Sequence, residues 1–240
     1  MEQNTKTSKK ILIIAAHPDD EILGCGATAS KHADRGDDVY CVILGEGITS
    51  RTNKATTDCM VDNISELHNQ TLQAAEILGI KEVFFSNFKD NRFDSLNLLD
   101  IIKEVEKHLT NINPDIIYTH HEFDLNIDHR RTFQAVITAC RPCNPNSPSQ
   151  IFSFEVLSST EWQSKDKKNA FFPNSYIDVS KQLERKISAM KTYKSEIKEY
   201  PHSRSTEGIE ILAKYRGIEC GLKSAEAFML IRNIKWLNMD

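Results

Sequence analysis

Apolar, β-branched runs recur along the chain at intervals wide enough for a helix between them: ILIIAA, VYCVILG, EVFFSN, DIIYTH and IFSFEV. Such near-continuous hydrophobicity predicts five strands buried on both faces. The intervening segments carry apolar residues at helical spacing, as in Asp62 to Leu78 (Ile64, Leu67, Leu72, Ala75, Leu78) and Leu96 to Leu109 (Leu98, Leu99, Ile102, Val105). This alternation predicts an α/β fold, a Rossmann-like three-layer sandwich with a mostly parallel sheet and helices on both faces. Beyond residue 157 the pattern changes. A polar stretch runs to about Asn174, followed by the short run YIDV, helical patterns at Ser180 to Tyr193 and Thr206 to Leu222, and a closing AEAFMLIR that can form a last strand. The polar stretches Gly45 to Asp62 and Ser158 to Asn174 are candidate pocket walls.

A length of 240 residues suits one core. With no linker, repeat or low-complexity tract, we expect a single domain over 1–240, residues 1–9 forming a tail. The 30 Lys+Arg against 34 Asp+Glu leave no basic excess to neutralise a row of phosphates, so nucleic acid is not expected as a partner. No stretch approaches the roughly 20 apolar residues of a membrane span, and no secretory leader is recognisable. A soluble, cytoplasmic protein is expected, with self-association left open. Cys25, Cys41, Cys59, Cys140, Cys143 and Cys220 lie mostly alone in apparent elements, which suits reduced thiols. The CRPC pair, Cys140 to Cys143, ends a helical pattern instead of opening one, the wrong place for a redox motif.

In a sheet of this type ligands bind beyond the carboxyl ends of the strands. There the stretch IIAAHPDDEILGCG, residues 13 to 26, drives an apolar run into His17, Pro18, Asp19, Asp20 and Glu21. Pro18 suits a first helical position, and the acids suit the positive end of the helix that follows. Spaced three apart, His17 and Asp20 can also converge on one point, with Asp19 beside it. A further ligand is available in YTHHEFDLNIDHRRT, Tyr118 to Thr132, where His120 and His121 end the fourth apolar run and His129 opens a helical pattern that Asn126 or Asp128 can cap. Two imidazoles and a carboxylate suit zinc with an open fourth position. His32, His68 and His108 fall in ordinary helical patterns.

The motif AHPDDE, the acid–His pair after the fourth strand and the late AEAF resemble the zinc-dependent N-acetylglucosaminyl deacetylases, the LmbE-like or PIG-L family. This resemblance implies His17, Asp20 and His129 as ligands of Zn2+ or another divalent ion. It implies Asp19 as the base that takes a proton from water and returns it to the leaving amine, with a small N-acetylated sugar or sugar conjugate as substrate. Asn126 stands where a second histidine is common in the family. The oxyanion donor is therefore sought among Asn126, His120, His121 and His202. Arg51 and Asp90 resemble sugar-contacting positions, and Glu46 and His202 are further candidates for the substrate pocket. Amide hydrolysis of another small molecule and non-catalytic zinc binding are the nearest alternatives.

A reading from another class rests on GCGATA, Gly24 to Ala29, which satisfies G-x-G-x-x-A, with Glu46 near the position of a ribose-binding acid. These glycines lie inside the helical pattern, not at the strand-to-helix turn. Close packing of the helix on the sheet explains them better.

Overall fold

A computed structural model describes residues 8–49, 57–142 and 147–235, without the side chains of 57–62. The first apolar run forms β1 (Lys10–Ala15), whose last five residues are all buried. Parallel to it run β2 (Asp38–Gly45), β3 (Glu82–Phe88), β4 (Ile116–His120) and β5 (Gln150–Phe154). The two late apolar runs are also strands, β6 (Ser175–Asp178) and β7 (Ala225–Asn233), and β7 lies antiparallel between β5 and β6. The seven-stranded order is β3-β2-β1-β4-β5-β7-β6.

Alternate residues of β1 feed two cores. Ile11, Ile13 and Ala15 pack with α1 (Asp20–Asp34), α2 (Thr57–Leu78), α5 (Leu183–Met190) and α6 (Thr206–Cys220). Leu12 and Ile14 pack on the other face with α3 (Leu98–Ile112) and α4 (Ile127–Ala139). The structure is therefore the expected three-layer sandwich. Helix α2 starts before the expected Asp62 and α5 is shorter than its sequence pattern. Leu72 and Leu99, assigned above to apolar faces, are exposed. Among the described residues no helix is long and apolar enough to cross a membrane.

Two features aim the site. Strand order reverses between β1 and β4, which places a crevice beyond their carboxyl ends. Helix α1 then begins at Asp20, so Pro18 is not its first residue. Asp19 instead adopts the left-handed conformation (φ 97°), and its carbonyl accepts from the N–H groups of Ile22 and Leu23. Such a conformation is uncommon and costly for a non-glycine residue, and it turns the Asp19 side chain away from the helical path expected for it.

Helix α1 bends at Cys25 (φ −150°) where Gly24 meets β5. A Cβ at position 24 would lie 2.3 Å from Cδ2 of Phe154, so the glycine serves close packing, not a dinucleotide turn. Gly24→Ala should therefore lower stability by about 1–3 kcal/mol through overpacking. Denaturant unfolding that shows no loss would refute this role.

Candidate metal centre

His17 follows β1, Asp20 opens α1, and His129 lies in the first turn of α4, which continues from the tip of β4. The reversal of strand order brings the three together. The Oδ2 atom of Asp20 is 3.3 Å from Nδ1 of His17 and 3.2 Å from Nε2 of His129, and one donor atom from each residue lies within 4.8 Å of the others. All three side chains are buried.

Each imidazole is held at its other nitrogen. Nε2 of His17 is 2.9 Å from Oδ2 of Asp128, whose carboxylate also accepts the N–H groups of Asn91 (2.7 Å) and Phe93 (3.0 Å). Nδ1 of His129 is 3.0 Å from Oδ1 of Asp124. Asp124 in turn accepts from the hydroxyls of Ser159 and Thr160, so the 158–174 wall is tied through Asp124 to a candidate ligand. This carboxylate–imidazole pattern fixes ring orientation and tautomer in metal sites. His17, Asp90 and Asp128 form a second group within ligand distance. Asp128, however, already accepts two backbone N–H groups, which suits an anchor better than a ligand.

The electrostatics fit a cation. Asp19, Asp20, Asp90, Asp124 and Asp128 are all at most 4% exposed around two imidazoles. Burying so many carboxylates is costly unless positive charge offsets them. Burial pushes Asp20 up, but His129 and His120 hold it well below the usual carboxylate range. Burial lowers the His129 pKa, yet Asp20 and Asp124 carry it to about 9, and hydrogen bonds to Asp128, Asp20 and Asp90 likewise raise His17 against burial. Without a metal the carboxylates keep protons on the rings, and a divalent ion can take the place of those protons.

Asp19 lies beside the trio. Burial pushes its carboxyl up to about 7, against the pull of Arg204, whose Nη1 donates to Oδ2 at 2.9 Å. Arg204 also pairs with Glu196 (2.8 Å) and donates to Ser158. Glu21 accepts the Asp19 N–H at 3.0 Å and the Tyr193 hydroxyl, so it braces the strained residue from behind.

The remaining sequence candidates divide. Asp90 is 3.0 Å from Nε2 of His17 and lies in the site. Asn126 caps α4 through Oδ1, which accepts from Asp128 N–H at 2.8 Å, while Nδ2 donates to Asn91. His120 is fully buried and stacked on His129 at 3.9 Å, and its Nε2 accepts the Ala16 N–H at 2.8 Å. Burial and the charge of His129 hold its pKa well below normal, so a neutral ring with Nε2 engaged supports the ligands instead of donating from that atom to an oxyanion. His121 bonds the carbonyl of Asn169 in the 158–174 wall. Glu46 differs most from its expected place in the substrate pocket. Its carboxylate accepts from Ile48, Thr49 and Asp90 N–H and from the Thr49 hydroxyl, so it holds two loops together. His202 accepts from Arg204 N–H and meets Trp162 edge-on at 5.9 Å. Arg51 and Cys143 lie outside the described residues. Cys140 is buried and free, its thiol pushed up to about 12, which leaves no reactive thiolate.

Sequence reasoning named neither Asp124 nor Arg204 for a role at the site. Asp124→Asn should weaken divalent-metal affinity by about 10–100-fold, because Nδ1 of His129 loses its charged anchor. Competition with a chromophoric chelator would measure this, and unchanged affinity would exclude the role.

An α/β sandwich whose switch-point crevice gathers two anchored imidazoles and a carboxylate, with a further carboxylate alongside, has the makings of a metal-dependent hydrolase. Residues 12–140 match the family model described as PIG-L, GlcNAc-PI de-N-acetylase. The chain is 33% identical to the uncharacterized deacetylase YaiS of Escherichia coli K12, over 78% of this chain and 91% of that protein. It is 28% identical to the diacetylchitobiose deacetylase of Thermococcus kodakarensis, over 94% of this chain and 84% of the relative. The N,N'-diacetylchitobiose deacetylase structure from Pyrococcus horikoshii shares the fold, with TM-score 0.74, 22% identity, and 94% of this chain and 85% of that one covered. The chain belongs to the PIG-L family and is an N-deacetylase.

Proposed function

We propose that this enzyme removes the acetyl group from an N-acetylated amino sugar or its conjugate, with His17, Asp20 and His129 holding zinc or another divalent ion. The observation that carries this reading is the convergence of those three side chains from the tips of β1 and β4, with the Asp19 carboxylate beside them. The substrate class rests on the family description and on the diacetylchitobiose activity of a relative.

A divalent ion there supplies Lewis acidity, lowering the pKa of water and polarising an acetamide carbonyl. The protein's own groups do the rest. Asp19 is bonded at Oδ2 by Arg204, which leaves Oδ1 to take the proton of the attacking water. A carboxyl pushed up to about 7 by burial can accept that proton near neutral pH and return it to the departing amine, so acetate and a free amino sugar leave. Asp128 and Asp124 keep the imidazoles oriented throughout. Asp90, next to His17, is our candidate to accept from sugar hydroxyls. The free thiols of Cys25, Cys41, Cys140 and Cys220 accord with a cytoplasmic setting.

Acetate release should be screened over N-acetylglucosamine, diacetylchitobiose and N-acetylglucosamine linked to nucleotide, lipid or thiol-bearing groups. The reading expects at least one to yield acetate and free amine in equal amounts. Metal-replete protein that deacetylates none of them would overturn it.

A further inference from the structure

At the opposite end of the sheet, a cavity of about 360 Å³ opens between the last turns of α1 and the starts of β4 and β5. The whole length of β1, roughly 20 Å for six residues, separates its two ends. None of the groups used above reaches it. Thr28, Lys31 and His32 line it from α1 and Arg35 from the residue that caps its end, and their spacing puts them on one face. Tyr118 and Phe152 line it from the sheet.

The floor is polar and incompletely satisfied. Nδ1 of His32 is 2.7 Å from Oδ2 of Asp37, and Nε2 is 3.0 Å from the Tyr118 hydroxyl. Burial pulls the His32 pKa down despite Asp37, so the ring is neutral. It donates to Asp37 and accepts the Tyr118 O–H, which leaves the tyrosine oxygen as an acceptor. Among the described residues the Thr28 hydroxyl, in a residue only 1% exposed, has no hydrogen-bond partner. A buried hydroxyl without a protein partner is costly, and this one belongs to a residue that lines the cavity.

The mouth carries positive charge. Among the described residues, the side chains of Lys9 and Arg35 make no ion pair or hydrogen bond, and Lys31 reaches the carbonyl oxygen of Asp178. The two lining acids, Asp37 and Asp178, keep their charge but accept from His32 and the Lys9 N–H and from Ser180 respectively, so three cations outnumber two carboxylates around the cavity. Hydroxyls on the floor, aromatic walls and cations at the mouth match a small polyol carrying one anionic group. We propose that this cavity is a second ligand site, for a sugar- or polyol-sized phosphate or carboxylate. It is independent of the deacetylase assignment.

Calorimetric titration of the full-length, metal-replete protein with glucose 6-phosphate, gluconate, glucose and inorganic phosphate tests it. At least one of the two hydroxylated anions should bind saturably at one equivalent, with glucose and phosphate weaker. Thr28→Val, which deletes only the hydroxyl, should weaken that binding by about fivefold to tenfold. Arg35→Ala, an exposed change with little effect on folding, should weaken it by a similar factor. Asp19→Asn, which keeps the metal and the turn into α1, should leave it unchanged. Absence of saturable binding by either anion, full affinity in both Thr28→Val and Arg35→Ala, or loss of binding in Asp19→Asn would overturn the proposal.

Discussion

Asp19→Asn should retain its divalent metal and lose acetate release by about 100-fold to 10,000-fold, the usual contribution of a positioned base. Several features make this substitution informative. Asparagine tolerates the left-handed backbone of position 19 better than most residues, so the turn into α1 should persist. Its amide oxygen can still accept from Arg204, so the contact joining residue 204 to the site survives. None of the three candidate ligands is altered. What disappears is the ability to take a proton. Initial rates of acetate formation, with metal content measured on the same preparation, separate the two effects. Wild-type kcat with full metal occupancy would remove Asp19 from the chemistry.

Replacing His129 with Ala should have an equally large but different effect, abolishing both metal retention and activity. Two donor residues would remain, His17 and Asp20, too few for a stable structural or catalytic zinc site. The same change leaves Asp20 and Asp124 buried without the imidazole between them. Removing one partner from a buried charged cluster typically costs about 3–5 kcal/mol, so the variant should also melt earlier. His129→Gln, which keeps a polar group in the space, separates the two losses. It should recover part of the stability and none of the tight metal binding. Tight binding of one equivalent in His129→Gln would argue against an imidazole ligand at this position.

Strands β1, β2, β4 and β5 were legible because they are largely buried on both faces and so read as unbroken apolar runs. EVFFSN was expected to be buried as well, but β3 lies at the sheet edge with only Ser86 buried, and the other edge strand, β6, showed in YIDV. His17 and Asp20 could be proposed because they follow a strand end, where a sheet of this order gathers its ligands, whereas His129 was singled out from His120 and His121 by the resemblance of its acid–His pair to the family motif. The entry of the chain into α1 was not legible. Pro18 favours a first helical position, but the Asp19 N–H bond to Glu21 and its left-handed backbone delay the helix to Asp20. Arg204 escaped notice because its partner Asp19 lies 185 residues away, and nothing in SRS marks an arginine as reaching a buried carboxylate. Asp124 offered only a faint signal as one of three acids, with Glu122 and Asp128, between His121 and His129, and its Ser159 and Thr160 partners come from a loop with no periodicity. Glu46 misled for the converse reason: an acid after a strand looks like a ligand contact, whereas here four donors from adjacent loops consume it.

Crystals of protein purified without chelator or added metal, measured at the absorption edge of the ion that elemental analysis finds, give the most direct test. The account predicts one anomalous peak bonded to Nδ1 of His17, the Asp20 carboxylate and Nε2 of His129, with Asp19 beside it and unbonded. A peak between Nε2 of His17, Asp90 and Asp128, or no peak at either position in active protein, would contradict it.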